Sequence, residues 1–216
     1  MSTTVLLVDD HRMMREGLRM ILDQAPDIQV VGEAENGRDA LTMVAQLRPK
    51  VVVMDIAMPG LNGIEATRQI RAQSPGTRLI GLSTYSDKQY VLGMLEAGAC
   101  GYVPKSAAAD ELLRAIQAVS RGDIYLGPEL AKSVIERYVQ RLNAPSSTTA
   151  TLGPREREIL QLIAEGHTSR EIGEQLGISV KTVEVHRQNI MNKLGMHSIA
   201  ELTKYAIREG LTYLEG

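Results

Sequence analysis

The side chains with chemistry to offer fall at the ends of short apolar runs. Thr4-Val5-Leu6-Leu7-Val8 stops at Asp9-Asp10, Val51-Val52-Val53-Met54 at Asp55, and Arg78 to Leu82 at Ser83; Cys100 to Val103 runs into Pro104-Lys105. Carboxylates that converge repel one another unless a hard cation joins them, and oxygen ligands with one or two carboxylates suit Mg²⁺. Such an ion accepts phosphate oxygens as further ligands. A lysine and a hydroxyl facing the same point complete a cradle of one fixed positive charge, one hydrogen-bond donor and one metal. An aspartate within that cradle can attack a phosphoryl group and form an acyl phosphate. Asp55 has the apt place, with the punctuated loop Pro59-Gly60-Leu61-Asn62-Gly63 behind it. An isolated strand, Asp and loop would read first as a turn cap; four chemically matched run ends in one chain shift that balance.

These groups converge only if the runs are neighbours in one sheet. The runs are short and rich in Val and Leu, which fits strands buried on both faces of a parallel sheet. Strands are expected at Thr4 to Val8, Ile28 to Val31, Val51 to Met54, Arg78 to Leu82 and Cys100 to Val103. Helices are expected at His11 to Leu22, Gly37 to Leu47, Gly63 to Ala72, Asp87 to Ala97 and Ala107 to Val119. Strands alternating with helices predict an α/β domain over residues 1–122, a five-stranded parallel sheet with helices on both faces. In such a sheet ligands collect outside the carboxyl ends of the strands, where all the groups above lie.

The pattern breaks after Gly122. Pro128 suits a first helical turn, and Leu130, Val134, Ile135, Tyr138 and Leu142 keep helical spacing, so a helix is expected over 128–143 within a linker of 123–151. Ala144 to Thr151 is small and polar, a flexible tether. From Leu152 to Gly216 four helices are expected: Pro154 to Glu165, Ser169 to Leu176, Val180 to Leu194 and Ser198 to Glu209. A short helix, the turn Gly177-Ile178-Ser179 and a helix capped by Ser179 form a helix-turn-helix pattern. On the third helix Lys181, Glu184, Val185, Gln188 and Asn192 share an outward stripe, and Val183, Ile190 and Leu194 face the other way. Glu184 and Gln188 can read cytosine and adenine edges in a major groove, and Val185 can meet a thymine methyl; for an arbitrary helix, a solvated face that happens to include a Val is the first reading.

Composition narrows the classes. The chain has 216 residues, 44% hydrophobic, with formal net charge −2, enough for packed cores and against a strongly basic tail. No apolar run approaches membrane-spanning length and the N-terminus has no signal-peptide pattern, so a cytoplasmic protein without a membrane partner is expected. A single cysteine, Cys100, lies in an apolar run and reads as a small buried hydrophobe. Four scattered histidines and one cysteine offer zinc no ligand spacing. With neither Phe nor Trp, nucleic-acid binding by aromatic stacking is disfavoured.

Two resemblances follow from these residues. Val8-Asp9-Asp10-His11, Met54-Asp55-Ile56-Ala57-Met58-Pro59-Gly60-Leu61-Asn62-Gly63, Leu82-Ser83-Thr84 and Gly98 to Lys105 resemble the receiver domain of two-component response regulators. The resemblance implies a flavodoxin-like domain in which Asp55 takes phosphate from a sensor histidine kinase. It implies that Asp10, Asp55 and the Ala57 backbone carbonyl hold Mg²⁺, with Asp9 acting through water. It assigns Ser83 and Lys105 to the phosphoryl oxygens, and Thr84 and Tyr102 to the switch, Tyr102 as the aromatic that swings inward. Leu152 to Leu160, Ala164-Glu165-Gly166, Ile178 to His186 and Lys193-Leu194-Gly195 resemble the bacterial LuxR-type DNA-binding domain. Together they are similar to the NarL/FixJ group of transcription factors, here bacterial.

That second resemblance implies a homodimer formed on activation, bound to a repeat in double-stranded DNA. Lys181, Thr182, Glu184, Val185, Arg187, Gln188 and Lys193 would meet DNA, with Arg170 a further phosphate contact. Ile199, Leu202, Thr203 and Ala206 would make the dimer contact. Gly153 and Gly173 stand where the family usually has Thr and often Ala, and are expected to weaken the scaffold. From Leu152 on, nine Glu face three Lys and five Arg, so non-specific DNA affinity should be modest and salt-sensitive. Two other classes of function compete with this one. A phosphatase acting through Asp55 needs an acid/base carboxylate two residues on, where Ala57 stands, so beyond self-catalysed phosphoryl transfer and slow autodephosphorylation no enzyme is expected. A ligand-binding regulator with a degenerate receiver is disfavoured by the complete set of acids, Ser83 and Lys105.

Overall fold

The computed structural model describes residues 2–83, 88–127, 130–132, 134 and 152–212. They form two compact units, Met1–Ala144 and Pro145–Gly216, taken separately below.

In the first unit the elements run β1 (Thr3–Val8), α1 (Arg12–Leu22), β2 (Ile28–Ala34), α2 (Gly37–Leu47), β3 (Val51–Asp55), α3 (Gly63–Gln73), β4 (Arg78–Ser83), α4 (Lys88–Glu96), β5 (Gly101–Pro104), α5 (Ala109–Arg121) and β6 (Tyr125–Leu126). The strands are all parallel, in the order β2-β1-β3-β4-β5-β6. The chain changes direction of travel across the sheet between β1 and β3, which is where such sheets open a crevice. Two apolar cores flank the sheet. Leu18 and Leu22 of α1 and Leu112, Ile116 and Val119 of α5 cover one face; Val44 of α2, Ile64 and Ile70 of α3, and Val91 and Met94 of α4 cover the other. Every residue of β3 is buried, as its unbroken Val run foretells.

The sheet has six strands among the described residues, not five. Tyr125 and Leu126 pair with Gly101 and Tyr102 in the stretch expected to begin the linker. Two residues are too few to carry a period, so their strand is a consequence of the free edge of β5 rather than of their own pattern. Of the helix expected over 128–143, residues 130–132 and 134 are described and are helical; the rest, and the tether to Thr151, lie outside the described residues. Leu126, Leu130 and Val134 pack on the core that contains Tyr102.

The second unit consists of α6 (Pro154–Ala164), α7 (Ser169–Leu176), α8 (Val180–Leu194) and α9 (Ile199–Arg208). Side-chain oxygens of Thr168, Ser179 and Ser198 accept the N–H of Glu171, Thr182 and Glu201, capping α7, α8 and α9. Gly177 and Gly195 close α7 and α8 with φ of 63°. Ile159, Leu160, Leu162, Ile172, Val183, Ile190, Leu202 and Ala206 form the core. Gly173 is more than a weak spot in a helix: a Cβ there would stand 2.9 Å from the Ile178 carbonyl oxygen. The absent side chain lets α7 approach the turn that leads into α8.

Candidate functional site

Parallel pairing of Val8 with Met54 carries Asp9 and Asp55 out of the sheet side by side. Pairing of Asp55 with Leu82 sets Ser83 one residue beyond it. Ser83 pairs in turn with Pro104, and the Lys105 N–H donates to the Ser83 carbonyl at 2.7 Å. Lys105 then reaches across the sheet end, its Nζ 2.7 Å from Asp9 Oδ2 and 2.9 Å from Asp55 Oδ2. Asp9, Asp55 and Ser83 are each 1% exposed. Burial and the neighbouring Asp9 charge push the Asp55 carboxyl up to about 6, against the pull of Lys105. Burial also works against the Lys105 charge, but Asp55 and Asp9 outweigh it and raise its pKa above the ordinary lysine value.

Ligand atoms of Asp9, Asp10, His11 and Asp55 lie within 4.8 Å of one another. The His11 N–H donates to Asp9 Oδ1 at 2.9 Å, and the imidazole Nδ1 is 2.8 Å from Asp10 Oδ1. Asp9 Oδ2 is met by Lys105 Nζ at 2.7 Å, whereas Asp10 Oδ1 is buried without an aligned hydrogen-bond donor, the His11 Nδ1 beside it standing at ion-pair distance. A buried carboxylate oxygen short of donors, beside two further carboxylates, fits a divalent cation bound through oxygen. His11 belongs to this cluster although its residue type drew no role in the sequence; only its proximity to two acids marks it.

The loop after β3 is built to hold Asp55 still. The Gly63 N–H donates to the Ile56 carbonyl, and the Asn62 side chain accepts the Glu65 N–H to cap α3. Ala57 is half-buried in this loop, and Ile56, Met58 and Leu61 around it are buried. Tyr102 of β5 is fully buried and its ring lies against Gly81, where a Cβ would stand 3.2 Å from the ring and 3.0 Å from the Met94 methyl. Thr84 lies outside the described residues. Cys100 is buried, with Arg78 Nη1 3.4 Å from its sulfur.

In the second unit Lys181, Thr182, Glu184, Val185 and Gln188 are exposed on α8, and Arg187 is half-buried. The Ser169 hydroxyl donates to Glu184, and Gln188 Nε2 donates to Asn192 at 3.0 Å. Arg170 pairs with Glu174 at 3.1 Å on the surface of α7. Lys193 is committed elsewhere: its Nζ lies 2.7 Å from Glu156, which also accepts the Gly153 N–H at 2.7 Å. Burial opposes the Glu156 charge, yet Lys193 and the Gly153 N–H hold its carboxyl below the usual carboxylate range. The expected dimer contact on α9 needs correction. Leu202 and Ala206 are 0% exposed and belong to the core, so they are unavailable to a partner; Ile199 is exposed and Thr203 half-buried. Period alone cannot say which side of an amphipathic helix a domain of this size uses for itself.

Comparison with known proteins agrees with both units. Residues 5–117 match the response regulator receiver domain family, and residues 150–206 match the LuxR family of bacterial regulatory proteins. The oxygen regulatory protein NreC of Staphylococcus carnosus is 39% identical over 212 residues, covering 96% of this chain and 98% of its own. The crystal structure of the response regulator ChrA of a heme-sensing two-component system is 37% identical with a TM-score of 0.53, over 97% of this chain and 98% of that one. A structure of two RcsB dimers bound to two parallel DNAs is 25% identical with a TM-score of 0.59, over 97% and 99%. Among the described residues no helix is long and apolar enough to cross a membrane. A receiver sheet with its acidic crevice, followed by a capped helix-turn-helix, places this chain among the response regulators of the NarL/FixJ type, transcription regulators with a LuxR-type DNA-binding domain.

Proposed function

We propose that Asp55 is the phosphoacceptor of this response regulator. The observation that carries the reading is the pairing of Lys105 Nζ with both Asp55 and Asp9, which brings together the carboxyl ends of β1, β3 and β5. A fixed ammonium beside a buried carboxylate supplies the charge that a phosphoryl oxygen would accept. Asp10, Asp55 and the Ala57 carbonyl would hold Mg²⁺, with Asp9 acting through water; the ion supplies charge neutralisation at the attacking and phosphoryl oxygens. Asp55 attacks phosphorus as the carboxylate, and the leaving group is the kinase histidine or the remainder of a small phosphodonor. Lys105 and the Ser83 hydroxyl then hold the new phosphoryl oxygens.

Phosphorylation draws Ser83 toward the phosphoryl group and shifts Tyr102, which pairs with Leu126 on the edge strand leading to the second unit. The second unit pairs on a DNA repeat through α8, with Ile199 and Thr203 at the dimer contact. Exposed Lys181, Val185 and Gln188 on one stripe support α8 as the reading element. Intact mass after incubation with Mg²⁺ and a small phosphodonor should show one added phosphoryl group, lost in Asp55→Asn. DNA binding by Asp55→Asn should gain nothing from the donor; undiminished stimulation would defeat the mechanism.

A further inference from the structure

α1 turns its apolar face to the sheet through Leu18 and Leu22, and one charged side chain goes in with them. Arg15 is 5% exposed. Burying a guanidinium is costly unless fixed partners repay the lost hydration. Its partners are specific: Nη1 donates to the Asp9 backbone carbonyl at 2.7 Å, and Nη2 donates to Glu35 Oε1 at 2.5 Å. Its Nε has no aligned acceptor and lies 3.6 Å from Glu33 Oε2, whose other oxygen accepts from Arg19 at 2.7 Å. The Asp9 carbonyl belongs to the peptide unit that joins Asp9 to Asp10. The Asp9 N–H on its other side donates to the Ala34 carbonyl at 3.2 Å.

We propose that Arg15 is a positioning residue for the acidic crevice: it fixes the Asp9–Asp10 peptide and so aims the Asp10 carboxylate at the divalent ion. The inference rests on the metal role given to Asp10 under the proposed function. The atoms Arg15 touches, the Asp9 carbonyl and Glu35 Oε1, are not among those proposed to hold the phosphoryl group or the ion. The planar fork of Arg15 gives a separate nitrogen to each of two acceptors, one just beyond β1 and one just beyond β2, a fixed geometry that the single nitrogen of a lysine lacks. The sign of its effect separates this role from simple charge. Removing a cation near an acidic cluster should tighten binding of a divalent ion, because Coulomb repulsion falls; removing a clamp should loosen it.

The test is titration of metal-free protein with Mn²⁺, followed by electron paramagnetic resonance of the free ion, for wild type, Arg15→Met, Arg15→Lys and Glu35→Gln. Arg15→Met should weaken Mn²⁺ binding roughly tenfold, the scale on which lost outer contacts act at metal sites. Arg15→Lys should recover part of that loss, and Glu35→Gln should shift affinity the same way by a smaller factor. A folded Arg15→Met protein that binds Mn²⁺ as tightly as wild type, or more tightly, overturns the proposal and leaves Arg15 as a brace between α1 and β2. If Arg15→Met does not fold, Arg15→Lys and Glu35→Gln decide, and unchanged affinity in both overturns it. Parallel intact-mass measurement with a phosphodonor keeps the two readings apart. Wild type that binds Mn²⁺ in an Arg15-dependent way yet takes no phosphoryl group defeats the phosphoacceptor reading alone.

Discussion

A Cβ on Gly63 would stand 1.9 Å from the carbonyl oxygen of Asp55. The first residue of α3 therefore rests directly on the backbone of Asp55, the proposed phosphoacceptor, and only a hydrogen atom fits between them. Gly63→Ala adds helix propensity at that position but forces the two backbones apart. The expected result is a net loss of about 1–3 kcal/mol, as for overpacked interiors, read by urea unfolding. Phosphoryl uptake by the folded fraction should slow as well, because Asp55 moves with the loop. A Gly63→Ala protein as stable and as reactive as wild type would contradict this contact.

The raised carboxyl of Asp55 has a sign in stability. Burial and the Asp9 charge push its pKa up to about 6 in the folded chain, against an ordinary 3.8. Between these values the folded state binds the proton and the unfolded state does not, so this group adds stability as pH falls from about 6 toward about 4 and costs stability above. Asp55→Asn removes the charge. In metal-free buffer it should be more stable than wild type at pH 7.5 by about 1–3 kcal/mol, the gain shrinking to nothing near pH 4. Denaturation at both pH values checks this, and added Mg²⁺ should narrow the gap by stabilising wild type.

Lys181 and Lys193 are both bases on α8 but should behave differently on DNA. Both are exposed, but Lys193 Nζ lies 2.7 Å from Glu156 near the end of the helix, while Lys181 stands near its start. Lys181→Met should lower the salt dependence of DNA binding by about one counterion per protomer. Lys193→Met should leave that slope unchanged and instead reduce the stability of the second domain, since Glu156 stays largely buried without its partner. Equal slopes for Lys181→Met and wild type would remove Lys181 from the DNA contact.

Gly173→Ala tests the approach of α7 to the following turn. Propensity alone promises a gain of about 1 kcal/mol for Ala over Gly inside a helix. The Cβ at 2.9 Å from the Ile178 carbonyl should cancel it. A thermal melt showing the full gain would mean that the turn relaxes freely.

The sequence by itself determined the class of fold and the chemistry of the crevice. Val51 to Asp55 reads as a buried strand ending on an acid, and Asp9, Ser83 and Lys105 stand at or just past the ends of theirs, so topology had only to bring those ends to one edge. Helix caps at Thr168, Ser179 and Ser198 were likewise local, because a cap is decided by a residue and the next turn. Tertiary structure decided what depends on partners distant in the chain. It built β6 on an open sheet edge, withdrew Leu202 and Ala206 from any interface by packing them in a core, tied Lys193 to Glu156, and buried Arg15 against the Asp9 carbonyl. A periodic pattern shows that a helix has two sides. Which side is spent on the domain itself, and which charge is already paired, is set by neighbours that the local sequence does not contain.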